Sequence, residues 1–348
     1  MKKQNLNIKG LSLEELERFV LDLNEKQYKA RQLFKWIYQK GEVDFSKMTD
    51  LSKDFRKKLK EICQIKKIRE VKVQKSEDGS TEKFLFELED RKKIESVLMR
   101  EKKRVTACIS TQVGCTLNCS FCATGKMGFK RNLSSGEIVD QLIQMKKYLG
   151  EKEKITHIVI MGMGEPLLNY ENTLKAIRII HSELGLGFSS KRITLSTSGI
   201  VPGIYRLAEE GLKIKLALSL NSPFDHKRNL LMPINKKYTI KKILKVVKHY
   251  AQKTDQRITI EYVLIKDIND SKEDALELSK IIRGIDCKIN LIAYNEVKGL
   301  KFKKPDEEKA IAFRDILYPR CPAVTVRKSK GQDIKAACGQ LRIASRNR

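Results

Sequence analysis

Three cysteines crowd into eight residues at Cys115-Thr116-Leu117-Asn118-Cys119-Ser120-Phe121-Cys122, a C-x3-C-x2-C run. Thiols this close on one loop can put three sulfurs on one face of an iron–sulfur cluster. A cubane [4Fe–4S] cluster has four irons, so three ligands leave one iron open to a small molecule. Structural zinc sites usually pair two C-x2-4-C knuckles, and the chain carries no second knuckle. Zinc completed by Cys108 or a more distant cysteine is the competing reading. Further along, Gly162-Met163-Gly164-Glu165-Pro166 combines glycines, which permit close backbone approach, with a carboxylate able to hold a substrate ammonium. Ser196, Ser219, Asn221 and Asn295 stand at the ends of apolar runs. Each alone reads as a turn or cap residue. In register at one end of successive strands, they read as a cofactor cleft.

The elements that must position these residues are legible from periodicity. Short Ile- and Val-rich runs predict strands at 105–111, 156–161, 192–196, 213–220, 257–265, 288–293 and 323–328. Helical patterns separate them at 171–183, 239–252, 271–283 and 306–317. The runs read as buried on both faces, the mark of a parallel sheet covered by helices. Six or so such units, with no G-x-G-x-x-G after the first strand, favour a full or partial barrel over a doubly wound fold. The expected class is therefore α/β, a partial (β/α)6 barrel over 105–348, preceded by a small helical unit over 1–64 and a β-rich connector over 65–104. Within the helical unit, Ser12-Leu13-Glu14-Glu15 is a capping box. A second helix runs through Tyr28, Leu33, Phe34 and Ile37 toward a terminating Gly41, a third covers 53–62, and Trp36 reads as a core residue. In the connector Val71/Val73, Phe84/Phe86/Leu88 and Val97/Met99 alternate with polar residues, and Asp78-Gly79 supplies a turn. Glu95, on its own, reads there as a solvent-facing strand residue. The basic run 298–304 reads as a solvated loop.

Charge narrows the partner. The 348 residues hold 71 Lys and Arg against 43 Asp and Glu, a net +28, with 41% hydrophobic residues. Such an excess on a foldable chain calls for a polyanion, nucleic acid first and an anionic membrane surface second. Binding to it should weaken steeply with salt, as counterions are released. The first 75 residues carry 20 of the basic residues against 11 acidic ones, which makes the helical unit a candidate handle for nucleic acid. No window approaches about 18 consecutive apolar residues, so no membrane span is expected. The basic opening Met1-Lys2-Lys3 has no apolar region behind it, so no secretory leader is expected and the location is cytoplasmic. There, eight cysteines point to metal binding or catalysis rather than a disulfide framework. Cys63, Cys287 and Cys321 read as small buried thiols, and the four histidines lack ligand spacing.

At Cys115, Cys119 and Cys122 the chain resembles the radical S-adenosylmethionine superfamily, in which the methionine amino and carboxylate groups chelate the open iron and reduction yields a 5′-deoxyadenosyl radical. Neighbouring segments narrow the resemblance. They are Ala107-Cys108-Ile109-Ser110-Thr111-Gln112-Val113-Gly114, Ala123-Thr124-Gly125-Lys126-Met127-Gly128-Phe129, Ile193-Thr194-Leu195-Ser196-Thr197-Ser198-Gly199, Pro233-Ile234-Asn235-Lys236-Lys237-Tyr238, Thr259-Ile260-Glu261-Tyr262-Val263, Val326-Arg327-Lys328-Ser329-Lys330-Gly331-Gln332-Asp333-Ile334 and Ala336-Ala337-Cys338-Gly339-Gln340-Leu341. Together they are similar to the RlmN family, dual-specificity methyltransferases for C2 of adenosine in 23S rRNA and tRNA.

Adenine C2 is an electron-poor carbon with a non-acidic hydrogen, so it cannot attack a sulfonium methyl, and a radical route makes chemical sense. The resemblance implies one [4Fe–4S] cluster per chain on Cys115, Cys119 and Cys122, and two S-adenosylmethionine molecules per turnover. It implies that Cys338 accepts the methyl group, and that Cys108 resolves the RNA adduct, leaving a Cys108–Cys338 disulfide. Glu95 matches the proton acceptor. Gly164, Glu165, Ser196, Ser219, Leu220, Asn221 and Asn295 match the cofactor contacts, and Met163 matches the second residue of the glycine motif. The implied partners are 23S rRNA, tRNA and a flavodoxin-type electron donor, with the enzyme a monomer. The related Cfr family, which modifies C8 of the same ribosomal adenosine, shares the cluster and both cysteines. The Gly125–Phe129, Gln112–Gly114 and Ile234–Tyr238 stretches stand nearer the C2 family. A rival of another class is a non-catalytic RNA-binding protein with structural zinc.

Overall fold

Capping chemistry starts the first helix where the sequence places it: Ser12 Oγ accepts from Glu15 N–H at 3.2 Å, and the Glu15 carboxylate accepts from Ser12 N–H at 2.7 Å. The computed structural model describes residues 6–321 and 323–343; residues 1–5, read above for a leader, lie outside it. The chain opens with β1 (Leu6–Asn7), α1 (Leu13–Asp22), α2 (Tyr28–Tyr38), α3 (Lys53–Ile62) and β2 (Cys63–Gln64). α2 buries Ala30, Leu33, Phe34, Ile37 and Tyr38 on one stripe. Trp36 sits at the edge of that stripe, packed against the core without being fully buried. It is half-buried, with the Lys40 ammonium 3.3 Å from its ring centroid and Asp50 accepting from its indole. β1 and β2 pair in parallel and tie the two ends of the unit together. The unit docks on the later helix Ser135–Leu149 through a buried Lys9–Asp140 ion pair of 2.6 Å and a Lys147 Nζ–Gly41 carbonyl bond of 2.6 Å.

A meander of β3 (Arg69–Lys75), β4 (Thr81–Glu87), β5 (Lys93–Glu101) and β6 (Arg104–Cys108) follows, all antiparallel. Next come β7 (Gln112–Gly114), α4 (Ala123–Lys126), β8 (Phe129–Asn132), α5 (Ser135–Leu149), β9 (His157–Ile160) and α6 (Tyr170–His181). The alternation continues through β10 (Ile193–Thr197), α7 (Val201–Glu209), β11 (Lys215–Ser219), α8 (Asp225–Leu231), α9 (Ile240–Thr254) and β12 (Ile258–Leu264). α10 (Lys272–Ile281), β13 (Cys287–Ala293), α11 (Glu307–Leu317) and β14 (Val324–Arg327) complete it. One ten-stranded sheet runs β14-β13-β12-β11-β10-β9-β6-β5-β4-β3. From β6 to β14 every pairing is parallel, giving six strand–helix units and a last strand, as a partial (β/α)6 barrel requires. The connector strands extend this sheet from its β6 edge.

β11 is buried through its centre and β12 along nearly its whole length, as their composition predicts, but the inward face of β12 is polar. β12 turns Ile258, Ile260 and Tyr262 toward the helices, where Tyr262 packs on Phe313 with ring centroids 5.3 Å apart. Thr259 and Glu261 face inward. The reason is a cavity of about 700 Å³ in the lumen, reached by Cys108, Cys122, Asn290, Arg327 and Cys338. A packed barrel would fill that space with branched side chains. Among the described residues, no helix is long and apolar enough to cross a membrane.

Candidate active site

The cysteine loop hangs between β7 and β8, which pair as a small antiparallel ribbon. Gly114 has φ +76, and a Cβ there would stand 1.8 Å from the Gly128 carbonyl oxygen. Asn118 sits in the left-handed region at φ +47, where Asn is tolerated better than most residues. Gly125 lets the start of α4 lie on Cys119, whose backbone N and O would both be 3.0 Å from an added Cβ. Cys122 caps α4, and its N–H donates to Cys119 O at 3.2 Å. Burial pushes the Cys115 thiol up to about 12, Cys119 well above its ordinary value, and Cys122 upward. The three sense one another electrostatically, so they share a site; as thiolates they would need a metal to hold their charge. Among the described residues, no three ligating side chains are gathered as around a single ion. Three thiols along one loop, with Cys115 and Cys122 partly open and Cys122 on the cavity, suit the larger frame of a polynuclear cluster. Gly114→Ala is expected to lower stability by about 3 kcal/mol, from the left-handed strain and the clash together, read as a drop in thermal unfolding midpoint.

Glu165 is buried beside this loop, close enough to bear on Cys115 and Cys119. Its carboxylate accepts from Leu167 N–H at 3.2 Å and Ser198 N–H at 2.8 Å, while its own N–H donates to Gln112 Oε1 at 3.0 Å. Burial raises the carboxyl to about 7 against those hydrogen bonds. The glycines before it serve the chain itself. Gly164 (φ +103) presses on Gln112 and Gly162 on Ile109 O, with added Cβ atoms at 2.6 and 2.7 Å, so the motif lies flat on residues 109–112. Ser196 and Ser219, on neighbouring strand ends, stand with hydroxyls 3.4 Å apart. Asn221 takes a left-handed turn at φ +58, and its Oδ1 accepts from Val263 N–H at 2.9 Å. A buried acid that an ammonium could ionise, beside hydroxyl-bearing strand tips, fits the amino-acid end of S-adenosylmethionine.

Cys108 ends β6 and lines the cavity together with Cys338; Cys338 bears on the Cys108 thiol, and Arg327 bears on both. Cys338 is exposed, on the wall of the cavity. Burial pushes Cys108 up to about 12 and raises Cys338, whereas Arg327 favours both thiolates. The Cys338 segment is pinned by backbone. Ala123 N–H donates to Gly339 O at 2.7 Å, Thr124 Oγ1 to Leu341 O at 2.7 Å and Asn295 Nδ2 to Cys338 O at 3.1 Å. Asn295 thus holds the cysteine segment in this structure, with Gln332 Nε2 donating to its Oδ1 at 2.6 Å. Glu95 is buried rather than solvent-facing, paired with Lys83 at 3.1 Å and accepting from Arg342 N–H at 2.8 Å. Burial raises its carboxyl while Lys83 opposes.

Arg228 carries no signal in the sequence. It is fully buried, and its guanidinium donates to Leu220 O (2.9 Å), Ser198 O (2.8 Å), Ser219 O (3.3 Å) and Asn235 Oδ1 (2.8 Å). One fork therefore ties the ends of β10 and β11 together. Arg327 is equally silent as a functional group, since one arginine in a basic stretch stands out in no way.

The model described as the Radical SAM superfamily matches residues 109–279, and that of the ribosomal RNA large subunit methyltransferase N-terminal domain matches residues 6–65. The chain is 48% identical over 341 residues to the dual-specificity RNA methyltransferase RlmN of Syntrophus aciditrophicus, covering 98% of this chain and 97% of that one. It is 49% identical over 339 residues to the probable dual-specificity RNA methyltransferase RlmN of Thermotoga maritima, covering 97% of each. The crystal structure of a radical SAM methyltransferase from Sphaerobacter thermophilus superposes with a TM-score of 0.92 at 43% identity, covering 97% of this chain and 99% of that one. With the cysteine loop, the Glu165 cleft and the cavity lined by Cys108 and Cys338 in place, these matches over nearly the whole length show that the chain belongs to the RlmN family of radical SAM methyltransferases.

Proposed function

We propose that the protein methylates C2 of an adenosine in 23S rRNA and tRNA, with Cys338 carrying the methyl group as a thioether. The observation that carries this reading is the meeting of Cys108 and Cys338 in one cavity, beside a three-thiol loop on the same lumen. When bound, a reduced [4Fe–4S] cluster with S-adenosylmethionine supplies a radical able to take hydrogen from a methyl group. Cys115, Cys119 and Cys122 would hold the cluster. Gly164, Glu165, Ser196, Ser219, Leu220, Asn221 and Asn295 form the cofactor's surroundings, with Glu165 on its ammonium. Arg327 eases loss of the Cys338 proton, so that the sulfur is nucleophilic when it takes the methyl group. After the methylene radical has bonded to C2, an oxidised one-electron carrier of the flavodoxin class takes the adduct's unpaired electron and Glu95 accepts the ring proton. With Oε2 accepting from Arg342 N–H and Oε1 paired with Lys83, the carboxylate keeps lone pairs free for that proton. The Cys108 thiolate then attacks Cys338 Sγ; the sulfur–carbon bond breaks with its electron pair passing to the base-bound carbon, which takes up a proton to become the methyl group, and a disulfide remains.

The lumen supports an RNA substrate. Arg104 and Lys215 open their strands at its foot and Lys288 stands beside them; burial lowers Arg104 and Lys288, helped by repulsion from Arg327 on Arg104 and from Lys215, Arg104 and Arg327 on Lys288. A phosphodiester would relieve that repulsion. The same reading assigns the helical unit 1–64 to RNA binding, 65–104 to carrying Glu95 and 105–348 to the radical core. It also carries two S-adenosylmethionine molecules per turnover, a flavodoxin-type donor, a monomer and a cytoplasmic setting. Cys108→Ala tests the resolving step: adduct formation survives while release fails, so a covalent protein–RNA species should accumulate on denaturing gels. Free methylated RNA at the native rate from that variant would overturn Cys108's role.

A further inference from the structure

Strand register sets three polar side chains level in the lumen: Glu261 of β12 beside Asn290 of β13, and Asn290 beside Thr325 of β14. Hydrogen bonds join them in one direction. Thr325 Oγ1 donates to Asn290 Oδ1 at 3.1 Å, and Asn290 Nδ2 donates to Glu261 Oε1 at 2.9 Å. A flipped Asn290 amide would set its carbonyl oxygen against the Glu261 carboxylate and lose that bond. The second carboxylate oxygen, Glu261 Oε2, is buried and has no hydrogen-bond partner, on a side chain whose residue is only 6% exposed. A buried acceptor left without a donor is destabilising until a ligand completes it. Glu261 lines the cavity that holds Cys108 and Cys338, and it lies close enough to Cys338 to bear on its thiol. Neither the established family membership nor the cysteine relay uses it.

We propose that Glu261, aimed by Asn290 and Thr325, reads the target base by accepting a hydrogen bond at Oε2 from the exocyclic amine of adenine. This rests on the adenosine-C2 reading above. In adenine, C2 and the 6-amino group both flank N1, so a carboxylate beside Cys338 meets the amine when C2 faces the sulfur. That amine is the base's only donor. Hypoxanthine presents a carbonyl oxygen at the same place, which would face the carboxylate lone pair to lone pair, so the site rejects it as well as favouring adenine. Burial raises the Glu261 carboxyl, while Arg327, Asn290 and Lys288 draw it back toward the ionised acceptor. The other donor near a target base is the ribose 2′-hydroxyl, and the experiment separates the two.

The test uses the reconstituted full chain and stem-loop RNAs bearing adenosine, purine riboside, inosine or 2′-deoxyadenosine at the target position. For the native protein, removing the amine should lower kcat/KM by roughly 10- to 100-fold, inosine should be worse still, and the 2′-deoxy substrate should be nearly unaffected. Glu261→Gln keeps the Asn290 bond at its amide oxygen and turns an N–H toward the base. The adenosine-to-inosine preference should then fall by at least about tenfold. Glu261→Ala should flatten it. Iron content and unfolding midpoint report whether each variant folds, and the native substrate series is decisive even if neither does. A native loss that follows the 2′-hydroxyl, native indifference to the amine, or an unchanged preference in a folded Glu261→Gln would overturn the assignment. Absence of any 2-methyladenosine from native protein would instead overturn the reading of function on which it rests.

Discussion

Cys338→Ala should abolish RNA methylation, by at least about 10⁴-fold, because in the proposed relay the sulfur it removes is the atom that carries the methyl carbon. The loss can be separated from misfolding on structural grounds. The segment is held by Ala123 N–H on Gly339 O, Thr124 Oγ1 on Leu341 O and Asn295 on Cys338 O, none of which uses the Cys338 side chain. Iron binding at the cysteine loop and the unfolding midpoint should therefore match the native protein. Intact-mass measurement should find the native Cys338 peptide partly methylated and the alanine variant never so. Cys338→Ser should be equally inactive, since a hydroxyl at neutral pH is a far weaker nucleophile than a thiol near Arg327. Methylated RNA from either variant would exclude the relay.

The second large effect concerns Glu165 and carries a pH dependence of defined sign. Its carboxyl is raised from 4.5 to about 7 by burial, so the proton must leave before the group can hold an ammonium. S-adenosylmethionine affinity should be flat above about pH 7 and weaken by up to tenfold per unit below it. Glu165→Gln should bind roughly 10- to 100-fold more weakly at pH 8 and lose that pH dependence, as titration calorimetry under anaerobic conditions would show. The stability of the empty protein moves the other way. A carboxyl whose folded value exceeds its unfolded one favours folding only while protonated, and that contribution fades as pH rises from 4.5 through about 7. Glu165→Gln should therefore raise the unfolding midpoint at pH 8 and leave it unchanged at pH 4. Unaltered affinity in the variant would take Glu165 out of the cofactor site.

How much of the fold and site is legible in the sequence follows the range of the interactions involved. Ser12 and Glu15 cap a helix three residues apart, and the three cysteines lie within one loop, so short-range pattern suffices for both. The barrel strands are legible too, because Ile258, Ile260 and Tyr262 face helices and must be apolar. Their polar alternates are harder to interpret. Thr259 and Glu261 look like an ordinary interrupted strand until the lumen proves to hold a cavity. Glu95 is buried by Lys83 and Arg342, the latter 247 residues away, so local pattern reads it as exposed. Arg228 is the extreme case. Its partners come from Ser198, Ser219, Leu220 and Asn235, and only the closing of β10 beside β11 brings them together. Cys338 has no local signature and rests on resemblance alone; its meeting with Cys108 is a property of the closed barrel.

The excess of positive charge gains a location in the same way. Arg104, Lys215, Lys288 and Arg327 all line the cavity, where the proposed RNA substrate would deliver its base. That the base is adenine and the modified atom C2 is open to direct measurement. Nucleoside mass spectrometry would follow anaerobic incubation of the reconstituted protein, S-adenosylmethionine and a reductant with 23S rRNA fragments and with tRNA. The expected product is 2-methyladenosine in both, absent when Cys338 is replaced. Only 8-methyladenosine, or unmodified RNA from a protein loaded with iron and competent to cleave its cofactor, would contradict it.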